Sequence, residues 1–570
     1  MAEEVWMLQT KKADFKQIGA RFRIDPVTAR IIRNRGIEGE AAIDRYLNGT
    51  LDDLYDPMLL KDMERAVSIL CEAVDTGKKI RIVGDYDIDG VCSTYILLQA
   101  FERLGSDVDF EIPDRIKDGY GINESIIEQA HADGVEVILT CDNGISAFHQ
   151  VELAKKYGMT VVITDHHEVP LDGEKEKIPP ADAVIDPKQA DCPYPFPEIC
   201  GAVVAYKLVQ VLYARRGVPQ MEWLDLLEFA AIATVGDVMK LQDENRILVK
   251  YGLKKMAQTK NLGLRRLAEK NNLDLGAITA YHIGFVIGPC LNAGGRLKTA
   301  KEALALLRAQ SEEEAERLAE ELKELNDTRK DMTEQGTEAA KLQVESWYQK
   351  DKVLVVFLPE CHESLAGIIA GRLREYYQKP AIVLTRGEEA VKGSGRSIDE
   401  YHMFKKLTEV SDLLLKFGGH PLAAGLSLEE KNIDEFRRRL NENAGLTEED
   451  FKAKVWIDVP MPVGYVTERL VRELSCLEPF GQGNEKPLFA EKSLHIRASR
   501  VLGRNRNVVK MTLEETDGHA IEALYFGDGT AFEEERAGRR EIDVVYYPDI
   551  NEYNGRKTLQ AVIRRYKFRG

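Results

Sequence analysis

The sequence predicts a multidomain α/β protein: a helical segment over residues 1–75, a parallel-sheet α/β domain over 76–305, a linker helix over 306–348, a second α/β domain over 349–452 and a β-barrel over 453–570. Three observations predict it. From Ile80, short apolar runs alternate with amphipathic stretches, the pattern of βαβ units around a parallel sheet. Between Ser311 and Trp347 the chain is dense in strong helix formers, with Leu318, Leu322 and Leu325 at helical spacing. From about 455 onward the apolar residues alternate as in β-strands.

Composition sets the bounds. The 570 residues, 44% hydrophobic and 30% charged, are enough for several cores. The N-terminus, MAEEVWMLQTKK, lacks an apolar signal core, and no run approaches the ~18 apolar residues of a membrane span, so a cytoplasmic protein with no membrane association is expected. Eight cysteines, with no CxxC pair, suggest buried thiols rather than zinc or a disulfide framework. A net charge of -17 argues against indiscriminate nucleic-acid binding and confines any polyanion site to a local basic groove.

In chain order, residues 1 to about 70 read as helices, around Ala41–Leu47 and Met63–Val74, with nothing that suggests chemistry. The stretch RIVGDYDIDG, Arg81–Gly90, follows. If the chain is still extended there, Asp85, Asp87 and Asp89 face one place, and three converging anions require cations. A calcium loop would need a glutamate five residues beyond Gly90, and that position is Tyr95. A helix is expected through Ser93–Leu104, then the strand DVDFEI, then IPDRIKDGYGIN, where Arg115 and Lys117 make a phosphate clamp and Tyr120 can stack a base. The strand VEVILT ends in Cys141-Asp142-Asn143-Gly144, and TVVIT ends in Asp165-His166-His167. Ligands of parallel sheets bind beyond the carboxyl ends of the strands, so three strands deliver Asp or His to one edge. The helical run Leu224–Val235 then leads to Asp237. Carboxylates and imidazole without cysteine suit two Mn²⁺ or Mg²⁺ ions, the arrangement that hydrolyses phosphoric esters.

Further on, Leu291–Leu297 (LNAGGRL) reads as a Gly-rich loop carrying Asn292 and Arg296 toward an anion. In the second α/β domain KGSGRS offers Ser394 and Arg396, and FGGHPLAAG offers Gly419 and His420, again as Gly-rich backbone beside polar groups. In the last 80 residues 15 Lys and Arg stand against 13 Asp and Glu, and RRYKFRG sets basic residues beside Tyr566 and Phe568 as a backbone-tracking groove with stacking faces would.

With DYDIDG, DNGIS and DHH in this order, the sequence resembles the DHH phosphoesterase superfamily, and the later motifs narrow the likeness to the RecJ family, over nearly the whole chain. The resemblance implies a DHH catalytic domain, a DHHA1 domain whose GGH loop faces the metals, and an OB-like nucleic-acid-binding barrel. It implies Asp87, Asp89, Asp142, His166 and Asp237 as metal ligands with Asp142 bridging, and Asp85, Asp165 and His167 behind them or positioning substrate. Cys290 stands where such proteins commonly have Arg, and Cys361-His362-Glu363-Ser364 where they often have Trp-His-x-Gly. The expected activity is exonucleolytic degradation of single-stranded DNA from the 5′ end to mononucleotides, in recombination and repair, beside a helicase and a single-strand-binding protein. Two other readings remain open here: a phosphodiesterase of cyclic dinucleotides or short oligonucleotides, and a non-catalytic DNA-binding relative.

Overall fold

The computed structural model describes residues 4–553 and 555–569, which fall into two compact units: 54–239 with 247–453, and 4–53 with 240–246 and the chain from 454 on. Among the described residues no helix is long and apolar enough to cross a membrane.

In the first unit the helix Met63–Asp75 leads into a five-stranded parallel sheet. Its strands are β1 (Ile80–Val83), β2 (Val108–Glu111), β3 (Val137–Cys141), β4 (Thr160–Thr164) and β5 (Ala183–Ile185), in the order β2-β1-β3-β4-β5. Helix α1 (Ile88–Arg103) follows β1, α2 (Glu124–Ala132) precedes β3 and α3 (Phe148–Lys156) precedes β4. α2 and α3 cover one face through Ile126, Ile127, Val151 and Ala154, packed on Ile138, Val161 and Ile163. α1 is buried on nearly every side and packs against α4 (Gly201–Arg215) and α5 (Leu227–Gly236). A helix apolar all round belongs inside a domain, and here it ties the sheet to the helical half. Arg81, 7% exposed within β1, is held by Asp109 (2.7 and 2.8 Å) and Asp133 (2.8 Å), as a buried cation requires.

The chain reaches α6 (Gly288–Leu297) through a π-helical turn, Ile283–Ile287. Next comes the long helix α7 (Glu312–Gln343), capped by Ser311 with three glutamates in its first turn, which complement the positive end of its dipole. The second sheet comprises β6 (Leu354–Phe357), β7 (Ala381–Arg386), β8 (Val391–Arg396), β9 (Leu414–Gly419) and β10 (Ala423–Leu428), ordered β9-β10-β8-β7-β6. Only β6 and β7 are parallel. Helix α8 (Ala366–Tyr377) and Ala340 of α7 pack on one face.

In the second unit the strands are β11 (Val459–Pro460), β12 (Phe489–Leu502), β13 (Val508–Glu514), β14 (Ala520–Phe526), β15 (Glu541–Tyr553) and β16 (Arg556–Phe568). The sheet runs β11-β12-β13-β14-β16-β15, and β15 pairs back onto β12, which closes a five-stranded barrel as the alternation predicts. The N-terminal residues do not form a separate helical segment. Ile31, Ile32, Ile43 and Tyr46, from helices Pro26–Asn34 and Glu40–Asn48, join the barrel core. A strand, Glu4–Leu8, pairs with Ala453–Ile457. Arg246 reaches into the same unit, donating to the carbonyls of Tyr46 (3.1 Å), Leu477 (2.9 Å) and Cys476 (2.7 Å).

Tyr566 and Phe568, expected as stacking faces, are instead packed on Phe532, with ring centroids 4.8 and 5.1 Å away. Of the basic residues beside them, Arg565 pairs with Glu4 and Arg569 with Asp543, each at 2.7 Å. The barrel core has claimed the rings because each removes a large apolar area from water.

Candidate metal centre and phosphate cleft

The strand order reverses between β1 and β3, and at such a switch point a crevice opens beyond the strand ends. Asp85, Asp87 and Asp89 follow β1, and Asp142 follows β3. The three acids after β1 do not alternate along an extended strand, as the sequence suggested. β1 stops at Val83, and α1 starts at Ile88 with Asp87 as its N-cap, accepting from the amides of Asp89 (2.9 Å) and Gly90 (3.1 Å). The turn is tight: a Cβ on Gly90 would sit 2.3 Å from the Asp85 carbonyl oxygen. These capping hydrogen bonds, which a strand would leave unmade, favour helix over strand here.

Each carboxylate is aimed by backbone donors. Asp89, fully buried, accepts from Gly201 (2.6 Å) and Ala202 (2.7 Å) in the first turn of α4, whose positive end faces it. Asp85 accepts from Gly121 at 3.2 Å. Asp142 adopts a left-handed backbone (φ 59°), uncommon for a residue other than glycine, so that its carboxylate turns into the crevice. Asn143 holds this corner by donating to the carbonyls of Val83 (3.0 Å) and Cys141 (2.9 Å) and accepting from Ile122 (3.2 Å). Asp237 stands at the C-terminal end of α5.

His166 Nε2 lies 3.1 Å from Asp142, 3.4 Å from Asp89 and 3.8 Å from Asp237. Three groups each gather three ligand atoms within 4.8 Å of one another: Asp142, His166 and His167; Asp89, His166 and Asp237; Asp85, Asp87 and Asp142. Asp142 and His166 are each shared by two groups. Asp165, in none of them, accepts from the amides of Ile145 (2.8 Å) and His166 (2.7 Å) and bonds His167 Nδ1 at 2.8 Å. Tyr120, expected to stack a base, donates its hydroxyl to the Asp142 carbonyl at 2.8 Å and lies 3.0 Å from His167 Nδ1, while the residue as a whole is 46% exposed.

The electrostatics call for cations. Burial, then repulsion from Asp89, Asp87, Asp85 and Asp237, pushes Asp142 far above the usual carboxylate range. Burial and neighbouring carboxylates likewise raise Asp85 and Asp89, and carry Asp237 up to about 8. Burial holds His166 below its ordinary value, so its neutral imidazole is available as a ligand, and its Nδ1 has no hydrogen-bond partner among the described residues. Burial opposes ionisation of both Asp165 and His167, yet their mutual hydrogen bond keeps Asp165 ionised and raises His167 to about 9. Carboxylates that repel one another until positive charge sits among them, with an imidazole in their midst, fit divalent cations of the Mn²⁺ or Mg²⁺ type.

Within the same unit lies a cavity of about 530 Å³, and Tyr86, Arg115, Arg296, Ser394 and Arg396 are among its lining residues. Four residues expected to bind nucleic acid therefore converge. Among the described residues, Arg115, Arg296 and Arg396 form no ion pair with a carboxylate. Arg115 lies over the Tyr86 ring at 4.8 Å, Arg296 donates to the Ser364 carbonyl at 3.0 Å, and Arg396 bonds Ser394 Oγ at 3.2 Å. Burial lowers Arg296 to about 10 and also lowers Arg396, with Arg115 repelling both. Unpaired cations that repel one another are a receptor for an anion.

Two Gly-rich stretches differ from the expected loops. KGSGRS is strand β8, whose alternation turns Lys392, Ser394 and Arg396 to the cavity. Its glycines admit packing neighbours: a Cβ on Gly393 would lie 2.5 Å from Leu384. LNAGGRL is helical in α6, where a Cβ on Gly295 would lie 2.3 Å from the Tyr86 carbonyl oxygen. Close approach to the acidic turn, rather than loop freedom, is what these glycines provide. Asn292 and Arg296 line a smaller space of about 100 Å³ with Gly236. Gly419 and His420 end an exposed strand, the His420 amide donating to the Ala423 carbonyl at 2.8 Å, and neither lines the larger cavity.

Sequence reasoning missed two participants. One is the start of α4 at Gly201, which holds Asp89. The other is the start of α8, where Ala366, Gly367 and Ile368 line the cation cavity and bring a helix N-terminus to it. Small residues at a helix start, in GAVVA and LAGIIAG, were the available signal.

Three family models match the chain: the DHH family N-terminal domain over residues 79–234, the DHHA1 domain over 350–445 and the RecJ OB domain over 457–565. The single-stranded-DNA-specific exonuclease RecJ of Bacillus subtilis is 36% identical, the match covering 98% of this chain and 70% of that protein. RecJ of Haemophilus influenzae is 33% identical over 96% of this chain and 97% of its own. The crystal structure of RecJ from Thermus thermophilus in complex with Mn²⁺ superposes with a TM-score of 0.84 at 28% identity, covering 99% of this chain and 80% of that one.

Proposed function

Since the chain belongs to the RecJ family of DHH phosphoesterases, we propose that it is a metal-dependent exonuclease specific for single-stranded DNA, hydrolysing phosphodiesters from the 5′ end and releasing mononucleotides. One observation carries this reading: mutually repelling carboxylates gathered around His166 at the sheet's switch point share one unit with a cavity whose three arginines, among the described residues, pair with no carboxylate. The first fits cations, and the second fits a substrate phosphate.

Asp87, Asp89, Asp142, His166 and Asp237 are the ligands in this reading, and Asp142 is the bridge, supported by its membership of two of the three groups. Two divalent cations bound there supply the charge that lowers the pKa of an attacking water and stabilises the in-line transition state. The chain's own groups do the rest. Asp85 and Asp165 accept backbone amides and thereby fix the loops on which the ligands stand. Asp165 and Tyr120 hold the His167 ring in one orientation beside Asp142. Arg115, Arg296, Ser394 and Arg396 bind a phosphate of the strand, with the α8 N-terminus adding amide donors. Asn292, Gly419 and His420 contact the substrate at the margins. The barrel holds the trailing strand. A helicase and a single-strand-binding protein deliver that strand, in the cytoplasm, during recombination and repair.

The test is digestion of a long strand labelled at either end, with Mn²⁺ or with EDTA, beside the matching blunt duplex. Release of 5′ label as mononucleotide, only with metal and only from the single strand, is expected. Survival of the strand while dinucleotides are cleaved would overturn the reading.

A further inference from the structure

The helical rod that ends in α6 carries two aromatic residues that its packing leaves in solvent. The helix Ala280–His282, the π-helical turn Ile283–Ile287 and α6 follow one another without a break. Gly284, Gly288, Pro289, Asn292 and Arg296 line one space with Gly236, so this side of the rod borders the neighbour of Asp237 and leads to the arginine cavity. The approach is close: a Cβ on Gly284 would lie 3.6 Å from Val235, and one on Gly288 3.3 Å from Ile88, which stands between Asp87 and Asp89.

Next to Gly284 are Phe285 and, one turn earlier, Tyr281. Their rings stack on each other, with centroids 4.7 Å apart and planes 27° apart, while the residues are 67% and 64% exposed. Val238, immediately after Asp237, is 65% exposed with a left-handed backbone (φ 58°). Burying two such rings would be favourable, and the fold does not bury them. A π-helical turn widens the helix by a residue and is frequent where a helix carries a site. Aromatic faces on the rod whose neighbouring residues Gly284, Gly288, Asn292 and Arg296 line that cationic path suit unpaired bases, because every base has a π-face.

We propose that Tyr281 and Phe285 form a stacking platform for unpaired bases of the strand that runs away from the scission site, making them positioning residues for single-stranded substrate. The inference rests on the function proposed above and names where that function grips the bases. Duplex DNA, whose bases are stacked on one another, offers no face to this platform, so the platform contributes to strand selectivity as well as to affinity.

The test compares the wild type with a Tyr281→Ala/Phe285→Ala double variant, both substitutions at exposed positions, and with Phe285→Trp. Binding of a labelled single strand is measured by fluorescence anisotropy in EDTA, and KM and kcat are measured with Mn²⁺. Each is repeated on a strand carrying abasic residues at its third to sixth positions. The double variant is expected to lose affinity roughly five- to hundredfold, with the loss read in KM rather than in kcat, while Phe285→Trp binds at least as tightly as wild type. The abasic strand should weaken the wild type by a similar factor and leave the double variant little further affected. Unchanged binding by the double variant, or an equal loss on normal and abasic strands, overturns the platform while the nuclease reading stands. A change confined to self-association also overturns it, since the rings then serve a protein contact. If the wild type neither binds nor cuts a single strand, the proposed function itself fails and takes the platform with it.

Discussion

Asp142 concentrates the conflict between stability and chemistry. The residue is 2% exposed, adopts a left-handed backbone and turns its carboxylate toward four other aspartates that raise its pKa. Such a site destabilises the metal-free fold and becomes favourable only when cations enter. Asp142→Asn separates the two effects, because asparagine tolerates the left-handed region and keeps the side chain's size while removing the charge. Its kcat with Mn²⁺ is expected to fall at least about a thousandfold, while its Tm in EDTA equals or exceeds that of the wild type. Steady-state kinetics and calorimetry in EDTA check both. A near-normal rate would remove Asp142 from the bridge, and a lower metal-free Tm would remove the repulsion argument.

At the scale of elements, the site is built from helix starts. α1 brings Asp87 and Asp89, the first turn of α4 holds Asp89, and the first turn of α8 borders the arginine cavity. Gly367 in α8 lets that last approach happen: a Cβ there would lie 2.8 Å from Ser394 Oγ and 2.9 Å from Arg396 Nη2. Gly367→Ala should improve helix propensity by up to about 1 kcal/mol while crowding both phosphate-binding groups. The expected result is an unchanged or slightly raised Tm with KM for single-stranded DNA raised severalfold, measured on one preparation. A fall in both Tm and kcat with KM unaltered would mean that the glycine serves packing alone. The same element explains what the sequence made legible. Acids and histidines at strand ends could be read in order, because strand–helix alternation puts strand ends at one edge. That Asp87 would cap a helix carrying Asp89 was a local signal left unread, whereas the amides of Gly201 and Ala202 that hold the Asp89 carboxylate lie far along the chain and could not be read. LNAGGRL and KGSGRS read as loops because local propensity counts glycine against helix and strand. The close approach to Tyr86 and Leu384 that overrides propensity is a tertiary fact.

At the scale of the whole molecule, the two units answer pH through different groups, and the barrel unit supplies a case away from the metal centre. The pairing of Glu4–Leu8 with Ala453–Ile457 and the docking of N-terminal helices on the barrel were not legible, because they join residues hundreds of positions apart without a local signal. In β12, Glu491 accepts from the Val463 amide at 2.6 Å, and Glu515 accepts from the next amide, Gly464, at 2.9 Å. Two carboxylates on adjacent amides repel. Burial, then the Glu515 contact, outweighs the Val463 hydrogen bond and raises Glu491 to about 8. An acid whose folded pKa lies above its unfolded value near 4.5 is favourable to the fold while protonated. That contribution is complete below about pH 4.5 and is lost as pH rises through 8. Glu491→Gln keeps an acceptor for Val463 and offers Glu515 a donor, so it removes the loss without changing the low-pH state. Because Glu491 is only half-buried, solvent screening reduces the effect. The variant is expected to melt about 2–4 °C higher than the wild type at pH 8.5 and to match it at pH 4.5, read by calorimetry or by hydrogen exchange of β12. A constant offset at both pH values would assign the gain to packing and not to proton linkage, and a lower melting point at pH 8.5 would refute the pair's repulsion.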